Sequence, residues 1–214
     1  MLLNDVVSTS AAVAATSSRT DKLERLTTCL RRLGPDEVAI GVAYLSSQIR
    51  QRQIGVGYAS MRDLPEPAAI PILSLIEVDA ALEKIGQLSG RDSQAERRRQ
   101  LVNLFTRATK TEQDFLVRLM LGELRQGALE GVMHDALARA LGVSIADVRR
   151  AVMLRGDLGA VAEAGLRDGV AGLGTFHLQV GQPVLPMLAQ SATSVGEALA
   201  RISPAAIEWK LDGA

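Results

Sequence analysis

"LERLTTCLRRLGPDEVAIGVAYL", residues 23–45, decides the fold class. Leu23, Leu26, Leu30 and Leu33 recur at three-to-four spacing, which places them on one face of a helix. Gly34 and Pro35 stop that helix. Val38, Val42 and Leu45, with Ile49 beyond, start a second stripe of the same period. Helix, break and helix follow one another with no alternation of apolar and polar residues between them.

The same texture extends outward. Leu75, Val78, Leu82 and Ile85 form a third stripe, closed by Gly86 and Gly90. A serine or threonine three residues before an acid, the signal of a capped helix start, occurs at Ser93–Glu96, Thr111–Asp114, Ser144–Asp147 and Ser194–Glu197. Apolar residues at helical spacing follow, as in Leu101, Leu104 and Phe105 and in Phe115, Leu116, Leu119 and Met120. Two further helices are expected over 128–141 and 145–154. From about residue 173 the pattern changes. Phe176, Leu178 and Val180 alternate and two prolines follow, which reads as an extended connector with one short strand. "AAIEWKLDG", residues 205–213, alternates again and reads as a strand. The expected organisation is an all-α domain over 1–172, a linker over 173–206, and the start of another domain over 207–214.

Composition agrees with helices. Of 214 residues, 47% are hydrophobic and only 3% aromatic, so the core is aliphatic. The charge is balanced, with 24 basic and 24 acidic residues, so only local clustering can point to an anionic partner. A single cysteine, Cys29, excludes an internal disulfide and a multi-cysteine metal site. Its spacing among leucines makes it a packing residue. His134 and His177 stand apart, and no metal site is expected. "MLLNDVV" lacks the basic start of a signal peptide, and no apolar run reaches membrane length, so a cytoplasmic protein without a membrane partner is expected.

Charge does cluster at 91–110, where six basic residues face two acids. Arg97, Arg98 and Arg99 fan around a helix that starts near Ser93. They form either a solvated helix face or a phosphate-contacting one, because a helix start also offers unpaired N–H groups. "GELRQGALEG", residues 122–131, is the second candidate: its glycines permit close backbone approach, or simply turn one helix into the next.

The end of the chain, "EWKLDG", resembles the E-x-K-x-D-G motif of ATP-dependent DNA ligases, a family of covalent nucleotidyltransferases. The rest is similar in order. "RLMLGELRQGALEGVMHDALA" (118–138) resembles their G-[DE]-L-R-x-G segment and "RGDLGAVAE" (155–163) the D-L-G-x-V-A element after it. "GRDSQAERRRQLVNLFTRATKTEQDFLVRL" (90–119) resembles the G-x-G-S region and its helix, with Arg91 where the family often has a small residue. "TSSRTDKLERLTTCLRRLGPDEV" (16–38) and "PVLPMLAQ" (183–190) resemble the N-terminal helices and the pre-adenylation linker.

The resemblance implies a helical DNA-binding domain that, with an adenylation and an OB-fold domain in cis, encircles nicked duplex DNA without reading its sequence. It implies Lys210 as the nucleophile that takes AMP from ATP with Mg2+, Glu208 against the adenine, and Asp212 and Gly213 shaping the turn. It implies backbone contacts from Ser18, Arg19, Ser93, Arg97, Arg98, Gly122, Arg125, Gly127 and Ala128. The chain then stops inside the nucleotide-binding motif. A monomeric piece of a longer ligase is expected, with no cofactor of its own and no turnover. The alternative is a helical protein-interaction scaffold with no DNA role.

Overall fold

The computed structural model describes residues 1–51, 54–124, 130–184, 191–202 and 204–205. The first of two units, Met1–Val184, is built from nine helices among its described residues. They are α1 (Leu3–Ala14), α2 (Arg19–Leu30), α3 (Val38–Leu45), α4 (Leu75–Gln87), α5 (Ser93–Thr106), α6 (Lys110–Met120), α7 (Glu130–Leu141), α8 (Ile145–Arg155) and α9 (Leu158–Gly174). No strand occurs among the described residues; one antiparallel bridge joins Leu2 to Ser74. The fold is all-α, as the stripes predict.

α3 is the hub. Seven of its eight residues are buried, so it has no solvent face and must be covered all round. α1, α2, α4 and α9 pack against it. The leucine stripe lies in the same core: Leu26 and Leu30 from α2, and Leu33 from the turn after it. Cys29 packs with them, and burial pushes its thiol pKa up. α2 also packs on α7, where the buried Thr27 hydroxyl donates to the Ala136 carbonyl at 3.4 Å and Arg31 donates to the Arg139 carbonyl at 2.8 Å.

Two helix starts differ from the sequence reading. Ser93 is the first residue of α5, and its cap is Asp92. Thr111 lies inside α6, which Thr109 caps instead. Thr109 with Glu112 makes a reciprocal box: the Thr109 amide and hydroxyl both donate to the Glu112 carboxylate at 2.8 Å. At α6 the physical reason is side-chain reach, since Glu spans back to the cap amide better than Asp; at α5 Glu96 is held instead by Arg99 and Gln100. Glu112 is fully buried, and the box gives partners to Oε2, one of its two carboxylate oxygens. Ser144 and Ser194 cap where expected, accepting from the amides of Asp147 and Glu197. α4 has a box the sequence reading passed over, Ser74 with Glu77. Also unanticipated is α1, whose Leu3, Val6 and Val13 are fully buried.

The short strand expected at Phe176–Val180 is absent: after α9 these residues pair with no other strand, and Leu178 and Val180 are exposed. α9 itself is broken at Gly169, whose φ of 58° and ψ of −138° are not helical. The second unit, Leu185–Ala214, contains α10 (Val195–Arg201) within the span read as a linker. The strand expected over 205–213, with Ile207, Trp209 and Leu211, lies outside the described residues save for Ala205.

Thr109→Ala should therefore destabilise the domain by about 1–2 kcal/mol, because it removes a cap that serves a buried carboxylate. Thr111→Ala should stay within about 0.5 kcal/mol. Urea denaturation of the two variants checks the assignment.

Candidate nucleic-acid interface

At the start of α5, Asp92 makes no side-chain cap hydrogen bond, so that turn's orphan N–H groups lack the usual side-chain acceptor. The three arginines then divide. Arg97 turns inward: its guanidinium donates to the Leu88 carbonyl at the end of α4 and, at 3.2 Å, to Ser93 Oγ. It lies over Gly55, where an added Cβ would sit 3.0 Å from the guanidinium carbon and where φ is +65°. Arg99 folds back on Glu96 at 2.8 Å, and hydrogen bonds from Arg99 and Gln100 hold that carboxyl down at about 2. Arg98 also faces outward: it is 71% exposed, against 75% for Arg99, and its nearest acid is the exposed carboxylate of Asp63 at 3.9 Å. The structure thus separates residues that the sequence groups together, one clamp and two surface charges, of which Arg99 is already held by Glu96.

The end of α6 is closed by a Schellman turn. Glu123 N–H donates to the Arg118 carbonyl at 2.8 Å and Gly122 N–H to the Leu119 carbonyl at 3.2 Å. Gly122 has φ +70°, a conformation that favours glycine, and nothing stands within 4 Å of where its Cβ would be. The backbone there is open to a partner. Leu124 then dives into the core, 7% exposed. Arg125, Gly127 and Ala128 lie outside the described residues.

The third place is the start of α2. Ser18 caps it, accepting from the Asp21 amide at 3.3 Å. Arg19 pairs with Asp135 of α7, which also takes Arg149 of α8 at 3.4 Å. Arg19 is 63% exposed while Asp135 is only 21% exposed, so the arginine is the side of the pair open to a partner.

What sequence reasoning missed is the segment 46–62. Ser47, just beyond α3, donates its hydroxyl to the Leu124 carbonyl at 2.8 Å. Gly55 receives Arg97. One stretch of chain thus touches both the end of α6 and the start of α5. Arg50 and Gln51 fasten it to Asp79 of α4 at 2.9 and 3.1 Å. "GVGY" is irregular in sequence and carries no pattern from which these contacts could be read.

The histidines have no shared geometry. His134 is partly buried 3.7 Å from Glu130, and burial pushes its pKa down; His177 is exposed. Among the described residues no group of three His, Cys, Asp or Glu could hold a metal ion, and no helix is long and apolar enough to cross a membrane. Glu208, Lys210, Asp212 and Gly213 lie outside the described residues.

A family model described as "DNA ligase N terminus" matches residues 58–138, which include the start of α5 and the end of α6. The chain is 54% identical along its whole length to a probable DNA ligase of Mycolicibacterium gilvum and covers 42% of it. It is equally similar, with the same coverage, to DNA ligase B of Mycobacterium tuberculosis. It spans about two fifths of the length of these relatives.

The two inward and outward arginines should separate in a thermal melt. Arg97→Ala should cost about 1–3 kcal/mol, because it strips the Leu88 carbonyl and Ser93 of their donor. Arg98→Ala should stay within about 0.5 kcal/mol.

Proposed function

We propose that the chain is the N-terminal region of a DNA ligase, the proteins it resembles along its whole length, and that it grips duplex DNA by its backbone while the rest of the protein seals a nick. The grip is made by the open first turn of α5 with Arg98, by the glycine turn after α6, and by the α2 start with Ser18 and Arg19. Arg97 serves this surface from behind, by holding the α5 start in place. Arg125, Gly127 and Ala128 add to the grip in this reading. A helix start carries roughly half a positive charge, which suits a phosphate. Sequence is not read, since backbone contacts carry no base information.

The observation that carries the reading is the likeness along the whole chain to proteins named DNA ligase, combined with a bare, left-handed Gly122 in the region that the family model covers. A net charge of zero suits one part of a clamp better than a stand-alone binder. In the whole protein Lys210 would attack the α-phosphorus of ATP, with Mg2+ assisting and pyrophosphate leaving, while Glu208 holds the adenine; the 5′-phosphate at the nick would then take the AMP and free the lysine. A 3′-hydroxyl then displaces the AMP. Adenylation and OB-fold domains in cis supply the remaining pocket, so this chain alone does not turn over. A cytoplasmic location fits such a role.

Fluorescence anisotropy with nicked and intact duplexes over a salt series tests this. Affinity should fall by about 0.9 log unit per log unit of salt for each phosphate neutralised. Arg98→Ala and Arg125→Ala should each flatten that slope by about one unit on every sequence tried. Gly122→Val should weaken binding more, since a β-branched residue both strains the turn and fills the open backbone. No binding at low salt would leave a protein-interaction scaffold as the better account. With ATP and Mg2+, mass spectrometry should find no adenylate on Lys210; stoichiometric adenylation would mean that the chain holds a complete pocket.

A further inference from the structure

We propose that Ser47 is a positioning residue: it sets the glycine turn after α6 at the height where DNA backbone can reach it. The inference rests on the DNA-binding reading above and adds to it a residue far away in the chain.

Ser47 follows the last residues of α3 and closes that helix with a Schellman turn. Gln48 N–H donates to the Ala43 carbonyl at 2.9 Å and Ser47 N–H to the Tyr44 carbonyl at 3.1 Å. The position needs a left-handed residue, usually glycine. Ser47 takes it at φ 62°, the one non-glycine residue with positive φ among the described residues. A side chain in that conformation is disfavoured, so a serine here forgoes the stability that glycine would give. What the serine supplies is its hydroxyl, which donates to the Leu124 carbonyl at 2.8 Å, 77 residues further along the chain.

That bond acts on a particular place. Leu124 is the residue at which the α6 turn returns to the core: its side chain is buried, while Gly122 and Glu123 before it are exposed. The leucine anchors one side of the backbone and Ser47 the other. A carbonyl pinned in both ways fixes the peptide planes of the turn that leads up to it. The Tyr44 and Leu45 end of α3 is fully buried, so the platform from which Ser47 reaches is itself close-packed. A pre-ordered turn does not have to be ordered on binding, which raises affinity without adding a contact.

Three variants of the 214-residue chain test this. Ser47→Gly keeps the left-handed turn and removes the hydroxyl. Its thermal midpoint should be unchanged or higher, while affinity for nicked duplex drops about fivefold, the scale of one lost hydrogen bond. Ser47→Asn keeps left-handed tolerance and offers an amide donor, so it should recover most of the affinity. Ser47→Ala keeps the strain, loses the hydroxyl, and should fall in both readouts. Hydrogen exchange without DNA gives the independent check: in Ser47→Gly the Gly122–Leu124 amides should exchange faster while those of α3 do not. Wild-type affinity in Ser47→Gly, or a parallel loss of affinity and thermal midpoint in that variant, overturns the assignment. Faster exchange at 122–124 with unchanged affinity also overturns it, because the turn is then held by Ser47 but does not face DNA. Absence of binding by the unmodified chain overturns the DNA reading itself.

Discussion

A helix with no side facing water imposes its needs on everything around it. α3 buries seven of eight residues, including Tyr44, Leu45 and Ile40. Four other helices are recruited to cover it, and local turns finish both its ends. A 3-10 turn over Pro35–Glu37 leads in, and the left-handed Ser47 leads out.

The function grows from the exit of that helix. The chain leaving α3 is tied to α4 through Asp79, meets Leu124 at Ser47, and passes Arg97 at Gly55. Two places distant in sequence, the start of α5 and the end of α6, are thus referred to one segment rooted in the core. Each offers a partner backbone groups rather than long side chains. Such groups are placed by the fold and lose no rotamer freedom on contact, which fits the proposed contact with DNA of any sequence.

Much of this was legible in the sequence and some of it was not, for reasons that can be named. The leucine and valine stripes of α2, α3 and α4 could be read because a buried helix face repeats at 3.6 residues. Ser144 and Ser194 could be read because a cap is a local device. Thr111 was misassigned because two overlapping frames both match the cap pattern, and the one with Glu112 wins by reach. α1 escapes a sequence reading because Leu3, Val6 and Val13 are separated by polar residues, one of which, Ser10, is itself buried. The alternation at Phe176–Val180 suggested a strand, but a strand needs a partner, and none exists there among the described residues. The division of labour among Arg97, Arg98 and Arg99 could not be read at all. It depends on the Leu88 carbonyl and on Gly55, which only tertiary structure brings to Arg97.

The central claim is that the helix-start and glycine-turn elements act as one backbone-gripping surface organised by the exit of α3. Hydrogen exchange of the chain with and without a nicked duplex tests it most directly. The account predicts that amides at 90–95 and 122–124 gain protection together on DNA addition, with those at 55–58 beside them, and that all lose it together as salt is raised. Protection confined to one of these places, or appearing instead on α8 and α9, would contradict it.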